Sequence, residues 1–152
     1  MPLLLLTGAI AIGAVLVAGA CGSGGEKTFV QQANAICREA SKMKIPDRAS
    51  AGSKAGVARI DARIKRRDRT TVNALAALDP PPGEEETVQE WLRHLRRAND
   101  AMSDILDASR EGFATHAGSR LEAEYAPSTR LARKLGATEC IGRRSFTRYA
   151  GT

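Results

Sequence analysis

From Thr28 to Cys140 the apolar residues recur every three or four positions, in four blocks separated by prolines, glycines and charged residues. An α-helix turns once in about 3.6 residues, so that spacing gathers each block's apolar residues into one stripe. No stretch of useful length alternates apolar with polar residues, and strands are therefore not expected. The chain has to bury four stripes, and the economical way to do so is to pack helix on helix.

In the first block, "TFVQQANAICREASKMKI", the stripe is Phe29, Ala33, Ile36, Cys37, Ala40 and Met43. Thr28 and Gln31 stand as a capping box at its start, and Pro46 follows its end. A second helix is expected from about Ser53, with Val57, Ile60, Ile64, Thr71, Leu75 and Leu78 on one face and "PPPG" as its stop. Arg66, Arg67 and Asp68 interrupt that face.

The third helix opens with Glu84, Glu85 and Glu86, which suit the partial positive charge of a helix N-terminus. They lack the ligand spacing of a calcium loop. Val88, Trp91, Leu95, Ala98, Met102 and Ile105 form its stripe. A fourth helix is expected from "SRLE", where Ser119 and Glu122 make a second capping box, with Leu121, Tyr125, Leu131 and Leu135 facing inward. Pro127 should kink or split it, and Arg133, Lys134 and Gly136 form its stop. The expected fold is all-α, an antiparallel up-down four-helix bundle over residues 28–140. In that topology the start of the first helix lies near the end of the fourth.

Residues 1–25 carry no charge. Residues 1–20 read as a signal peptide, with an apolar run and a small-residue cleavage site but without the usual preceding basic residue. Ala18, Gly19 and Ala20 before Cys21 resemble the lipobox of bacterial lipoproteins, which implies that Cys21 takes a diacylglyceryl group and becomes the mature N-terminus. Residues 21–27, with "GSGG", form a flexible tether. The expected location is the outer face of the cell membrane. The alternatives are secretion and an uncleaved transmembrane anchor, since about eighteen apolar residues suffice to enter a bilayer.

The three cysteines are an odd number for an exported chain. With Cys21 engaged by lipid, Cys37 and Cys140 remain and can pair in an oxidising compartment. Two separately buried thiols are the other possibility. A bridge would close a loop of about a hundred residues, worth about 4–5 kcal/mol in the chain-entropy model.

The combination of "FVQQANAICREA", "LAALDPPPGEEETVQEWL" and "LARKLGATEC" resembles small exported or lipid-anchored helical proteins of unknown function from actinobacteria. The likeness implies a disulfide between Cys37 and Cys140 and an envelope location. It implies no activity.

Composition narrows the function classes. The net charge of +6 lies wholly in the mature domain, and residues 141–152 form a basic tail suited to anionic headgroups or simply to solvent. The run "RIKRRDR", Arg63 to Arg69, is diluted by Asp61 and Asp68 and has no interleaved aromatic residue, so no nucleic-acid partner is expected. Glu90 and His94 are the one metal-like pair, set among arginines, and no metal or cofactor is expected. There is no "GxSxG" and no phosphate-binding glycine motif, which argues against catalysis. What remains is a lipid-anchored envelope binding or adaptor protein, attached to the membrane through Cys21 and contacting an envelope protein. The alternative is a carrier of a lipid or other apolar ligand between its helices. The candidate contact residues are Arg66, Arg67 and Asp68, with Arg93, Arg96 and Arg97 as a second basic cluster.

Overall fold

The computed structural model describes residues 27–46, 48–108 and 115–141. Cys21, the glycine-rich tether and the basic tail lie outside these residues. Within them the protein is a helical bundle with no strand: α1 (Phe29–Lys42), α2 (Lys54–Ala76), α3 (Glu85–Ala108) and α4 (Thr115–Lys134). Two short 3-10 turns, Arg48–Ala51 and Thr138–Cys140, precede α2 and follow α4.

The helix starts follow local chemistry. Thr28 caps α1 in a closed capping box: the Thr28 amide donates to Gln31 Oε1 at 3.2 Å, and the Gln31 amide donates to Thr28 Oγ1 at 3.3 Å. Ser53 caps α2 by accepting from the Gly56 amide at 3.1 Å. The end of α4 is closed by Gly136, whose φ of +74° is the left-handed conformation that glycine adopts freely. There the Gly136 amide donates to the Arg133 carbonyl and the Ala137 amide to the Ala132 carbonyl, the paired bonds of a Schellman stop.

One boundary differs from the sequence expectation. Helix α4 begins at Thr115, about one turn before the expected cap at Ser119, which lies inside the helix. Ala117 is buried in a core cluster with Ile105 and Leu121, and that packing outranks the local capping signal. Helix α4 also passes Pro127 without dividing.

The buried residues form two clusters that share α3. One joins Phe29, Ala33 and Cys37 of α1 and Leu75 of α2 to Val88, Trp91 and Leu92 of α3, to Ala132 of α4 and to Leu135 just beyond it. The other joins Ile60 and Ile64 of α2, Met102 and Ile105 of α3, and Ala117 and Leu121 of α4, with no member from α1. Trp91 is wholly buried and meets the Phe29 ring edge-on, with centroids 6.5 Å apart. The polar interruption of α2 falls between the clusters, and the buried face resumes at Val72, one residue beyond the expected Thr71.

Cys37 and Cys140 form a disulfide, with Cα atoms 5.0 Å apart. Asn34 supports the same junction: its Nδ2 donates to the Gly136 carbonyl at 3.1 Å, and its Oδ1 accepts from the Glu139 amide at 2.8 Å. Helix α1 is thereby fastened to the turn that follows α4.

Gly56 is buried in the first turn of α2, where an added Cβ would collide with the Ala51 carbonyl. Replacing a helical glycine by alanine ordinarily stabilises by up to about 1 kcal/mol. Here Gly56→Ala is expected to cost about 1–3 kcal/mol, as overpacking does, measured by chemical denaturation. Glu84, at the entry to α3, is held below its ordinary pKa of 4.5 by a hydrogen bond from Thr87 and by the Lys134 ammonium 3.5 Å away, against opposing desolvation. A carboxylate with a lowered folded pKa stabilises fully above the unfolded value and loses that contribution as pH falls through the folded one. The stability gap between wild type and Glu84→Gln is therefore expected at pH 7 and should close on acidification below 4.5, as followed by thermal melting across pH.

Candidate binding groove

Helix α2 has a second face. Arg59, Ala62, Arg63, Arg66, Arg67, Thr70, Thr71 and Ala74 share one helix face, each three or four residues from a neighbour one turn on, beside the buried stripe of Ile60, Ile64, Val72 and Leu75. Alanine and threonine are short, so this face lies low between the arginines. Ala35, Ile36, Glu39, Ala40 and Met43 of the α1 segment stand opposite it. The result is a solvent-open groove of about 780 Å³ between α1 and α2, within the range of about 300–1,000 Å³ typical of small-ligand sites.

The floor is mainly apolar and one wall is cationic. Met43 is 42% exposed, and among the described residues it is the large hydrophobic side chain left open to solvent. Ile36 and Ala40 are half-buried and line the groove, and Ile36 also packs against the first core cluster. Met43 and Ala40 are expected with Ile36 on the core stripe of α1; Ile36 does pack against the core, but α1 stops at Lys42 and α2 leaves the flank of Ala40 and Met43 open. Arg59, Arg63 and Arg66 are exposed and, among the described residues, enter no ion pair. Arg67 is half-buried and paired with Asp68 at 2.7 Å. Glu39, on the α1 side, is bridged to Lys42 at 2.5 Å.

The six charged residues singled out from the sequence fall into three places. Arg66 and Arg67 line the groove. Asp68 and Arg96 instead line a smaller cleft of about 160 Å³ between α2 and α3. Arg93 and Arg97 flank a polar seam between α3 and α4, where Arg93 lies 3.6 Å from Glu90 and Arg97 lies 3.7 Å from Glu124. Arg93, Arg96 and Arg97 therefore do not act as one cluster.

His94 sits in that seam, with Nδ1–H donating to Glu124 Oε2 at 2.6 Å and Nε2 standing 3.8 Å from Glu90. Its closest carboxylate is on α4, not the one four residues upstream on its own helix. Both His94 and Glu124 have side chains less than a quarter exposed, so the pair links α3 to α4. Among the described residues no group of three or more His, Cys, Asp or Glu side chains is placed to hold a metal ion, and no helix is long and apolar enough to cross a membrane.

Asp61 is wholly buried and ion-paired with Arg48 of the 3-10 turn, Oδ1 to Nε at 3.1 Å, while Arg48 Nη2 donates to Oδ2 at 3.3 Å. In the sequence Asp61 reads only as an acid diluting a basic run. In the fold it turns inward, opposite the groove face, and fixes the segment between α1 and α2.

Of the groove residues, only Arg66 and Arg67 were singled out as contacts by charge placement. The rest carry a legible but quieter signal, a second stripe of small residues and arginines on α2. Compared with known proteins, the chain matches no family model, no curated protein and no solved structure, so its function is argued from its own residues.

Proposed function

We propose that the protein is a non-enzymatic binding protein on the outer face of the cell membrane, anchored through lipid on Cys21, and that the α1–α2 groove is where it binds. The groove carries the binding role: it combines an apolar floor with Arg59, Arg63 and Arg66, which enter no ion pair among the described residues, a combination that a solvated helix face does not need. The envelope location rests on the uncharged apolar run before Cys21 and agrees with the Cys37–Cys140 bridge, because disulfides persist in oxidising compartments. The likeness to small exported actinobacterial proteins points the same way.

The same reading takes the four helices as an up-down-up-down antiparallel bundle. The two core clusters support it, since Leu75 near the end of α2 and Leu135 beyond the end of α4 cluster with the start of α3, while Ile60 and Ala117 cluster with its end. A bend of α4 at Pro127 belongs to this arrangement, because proline has no amide hydrogen for the Ala123 carbonyl and its ring crowds that group.

Of the two binding roles, holding an apolar ligand fits the groove more closely than serving as an adaptor. Its open apolar residues lie between two helices, whereas the arginines expected to make an adaptor surface on α3 are split up, Arg93 beside Glu90 of its own helix, Arg97 beside Glu124 of α4 and Arg96 lining the α2–α3 cleft.

Intact mass spectrometry of the protein extracted from its own membranes tests the anchor. The expected mass starts at Cys21 and includes a diacylglyceryl group, and Cys21→Ser is expected to lose both that group and membrane retention. A mass that still includes residues 1–20 would overturn the lipid anchor.

A further inference from the structure

We propose that the α1–α2 groove takes a single-chain anionic amphiphile, with its hydrocarbon chain on the floor and its carboxylate or phosphate head on Arg59, Arg63 and Arg66. The inference rests on the groove being the binding site, and it names the class of ligand.

Charge is distributed unevenly along the groove. The four arginines that line the groove lie between Arg59 and Arg67, and beyond them the α2 lining is Thr70, Thr71 and Ala74, without charge. The single acid of the lining, Glu39, is already neutralised by Lys42. Three exposed guanidinium groups without ion partners, about 10 Å apart from first to last at 1.5 Å per residue, offer forked donors for a carboxylate or phosphate. An uncharged apolar ligand would leave these donors unused. A basic segment, such as the chain's own C-terminal tail with Arg143, Arg144 and Arg148, would be repelled.

Length and shape agree with one chain. From Arg59 to Ala74 the α2 wall runs about 22 Å. An acyl chain spanning one leaflet of a bilayer is about 15 Å long, half of a hydrocarbon core of about 30 Å. The groove therefore has room for one such chain and for the head beyond it. Ala62 and Ala74 let the chain approach the α2 backbone, and Ile36 and Met43 cover it from the other side. Burying that chain supplies affinity at about 0.8 kcal/mol per methylene. The arginines set the polarity of the ligand and its direction in the groove.

The test is photocrosslinking of the full-length protein in its own membranes with diazirine-labelled hexadecanoate, diazirine-labelled hexadecanol and diazirine-labelled phosphatidylglycerol, with the adducts mapped by peptide mass spectrometry. The expected result is adducts with hexadecanoate on peptides carrying Ile36–Met43 and Ala62–Ala74. Labelling should fall about tenfold with hexadecanol, and by a similar factor in the Arg59→Gln, Arg63→Gln, Arg66→Gln variant, the loss equivalent to one charge-assisted hydrogen bond. The replaced arginines are exposed, so the variant should melt as the wild type does. Ala62→Phe, which fills the floor, gives an independent loss with the arginines intact.

Equal labelling by the acid and the alcohol, or full labelling of the arginine variant, would overturn the proposal. So would labelling confined to phosphatidylglycerol, which would make the groove a membrane-facing surface. A crosslink from groove positions to an envelope protein, without hexadecanoate adducts, would overturn the amphiphile while leaving the groove as the binding site. The absence of any groove adduct would remove both.

Discussion

The covalent link between Cys37 and Cys140 is the constraint on which the rest of the architecture leans. Helix α1 has only 14 residues, and an isolated helix of that length is marginal in water. It contributes to one of the two core clusters and to none of the other. The bridge spans 103 residues of sequence, and in the chain-entropy model closing a loop of that size is worth about 4.7 kcal/mol. Asn34 adds bonds on both sides of the same turn, to Gly136 and Glu139. The wall of the groove is held in place from the far end of the chain.

Helix α2 explains why there is a groove at all. It has to satisfy two surroundings: a core face of Ile60, Ile64, Val72 and Leu75, and an outer face of arginines, alanines and threonines. A helix with only the first requirement would carry long polar side chains elsewhere and close against α1. Asp61 enforces the division, because its buried carboxylate, paired with Arg48, keeps α2 from rotating about its axis without stranding a charge. The short chain between α1 and α2 is tied to the same pair, so the entry to α2 is set by an ion pair while α1 itself is fastened by the disulfide to the turn after α4.

Most of the fold was legible in the sequence because packing and local chemistry agreed. Thr28, Ser53 and Gly136 mark helix ends by capping preferences that the structure uses as written. Counting cysteines left Cys37 and Cys140 able to pair or to stay as separate thiols once Cys21 was set aside, and the structure bridges them. The start of α4 was missed because Ser119 looks like a cap, while burial of Ala117 leaves almost no trace in a pattern that counts large apolar residues. The groove was missed for a related reason. A stripe of small residues is invisible to a search for hydrophobic periodicity, and whether Ile36 or Met43 faces a core or an opening depends on where a neighbouring helix ends. Charge clusters misled where they were read along the chain, since Arg93, Arg96 and Arg97 lie within five residues of sequence and have different neighbours in space.

The central claim is that the bridge holds α1 against the bundle and so maintains the groove. Native-state hydrogen exchange of the oxidised and the reduced protein, resolved along the chain, addresses it directly. The account requires that reduction speed exchange in residues 29–42 by an order of magnitude or more while the amides of α3 and α4 around Met102 and Leu121 stay protected. Unchanged protection in α1 after reduction would contradict it, and the groove would then owe its shape to core packing alone.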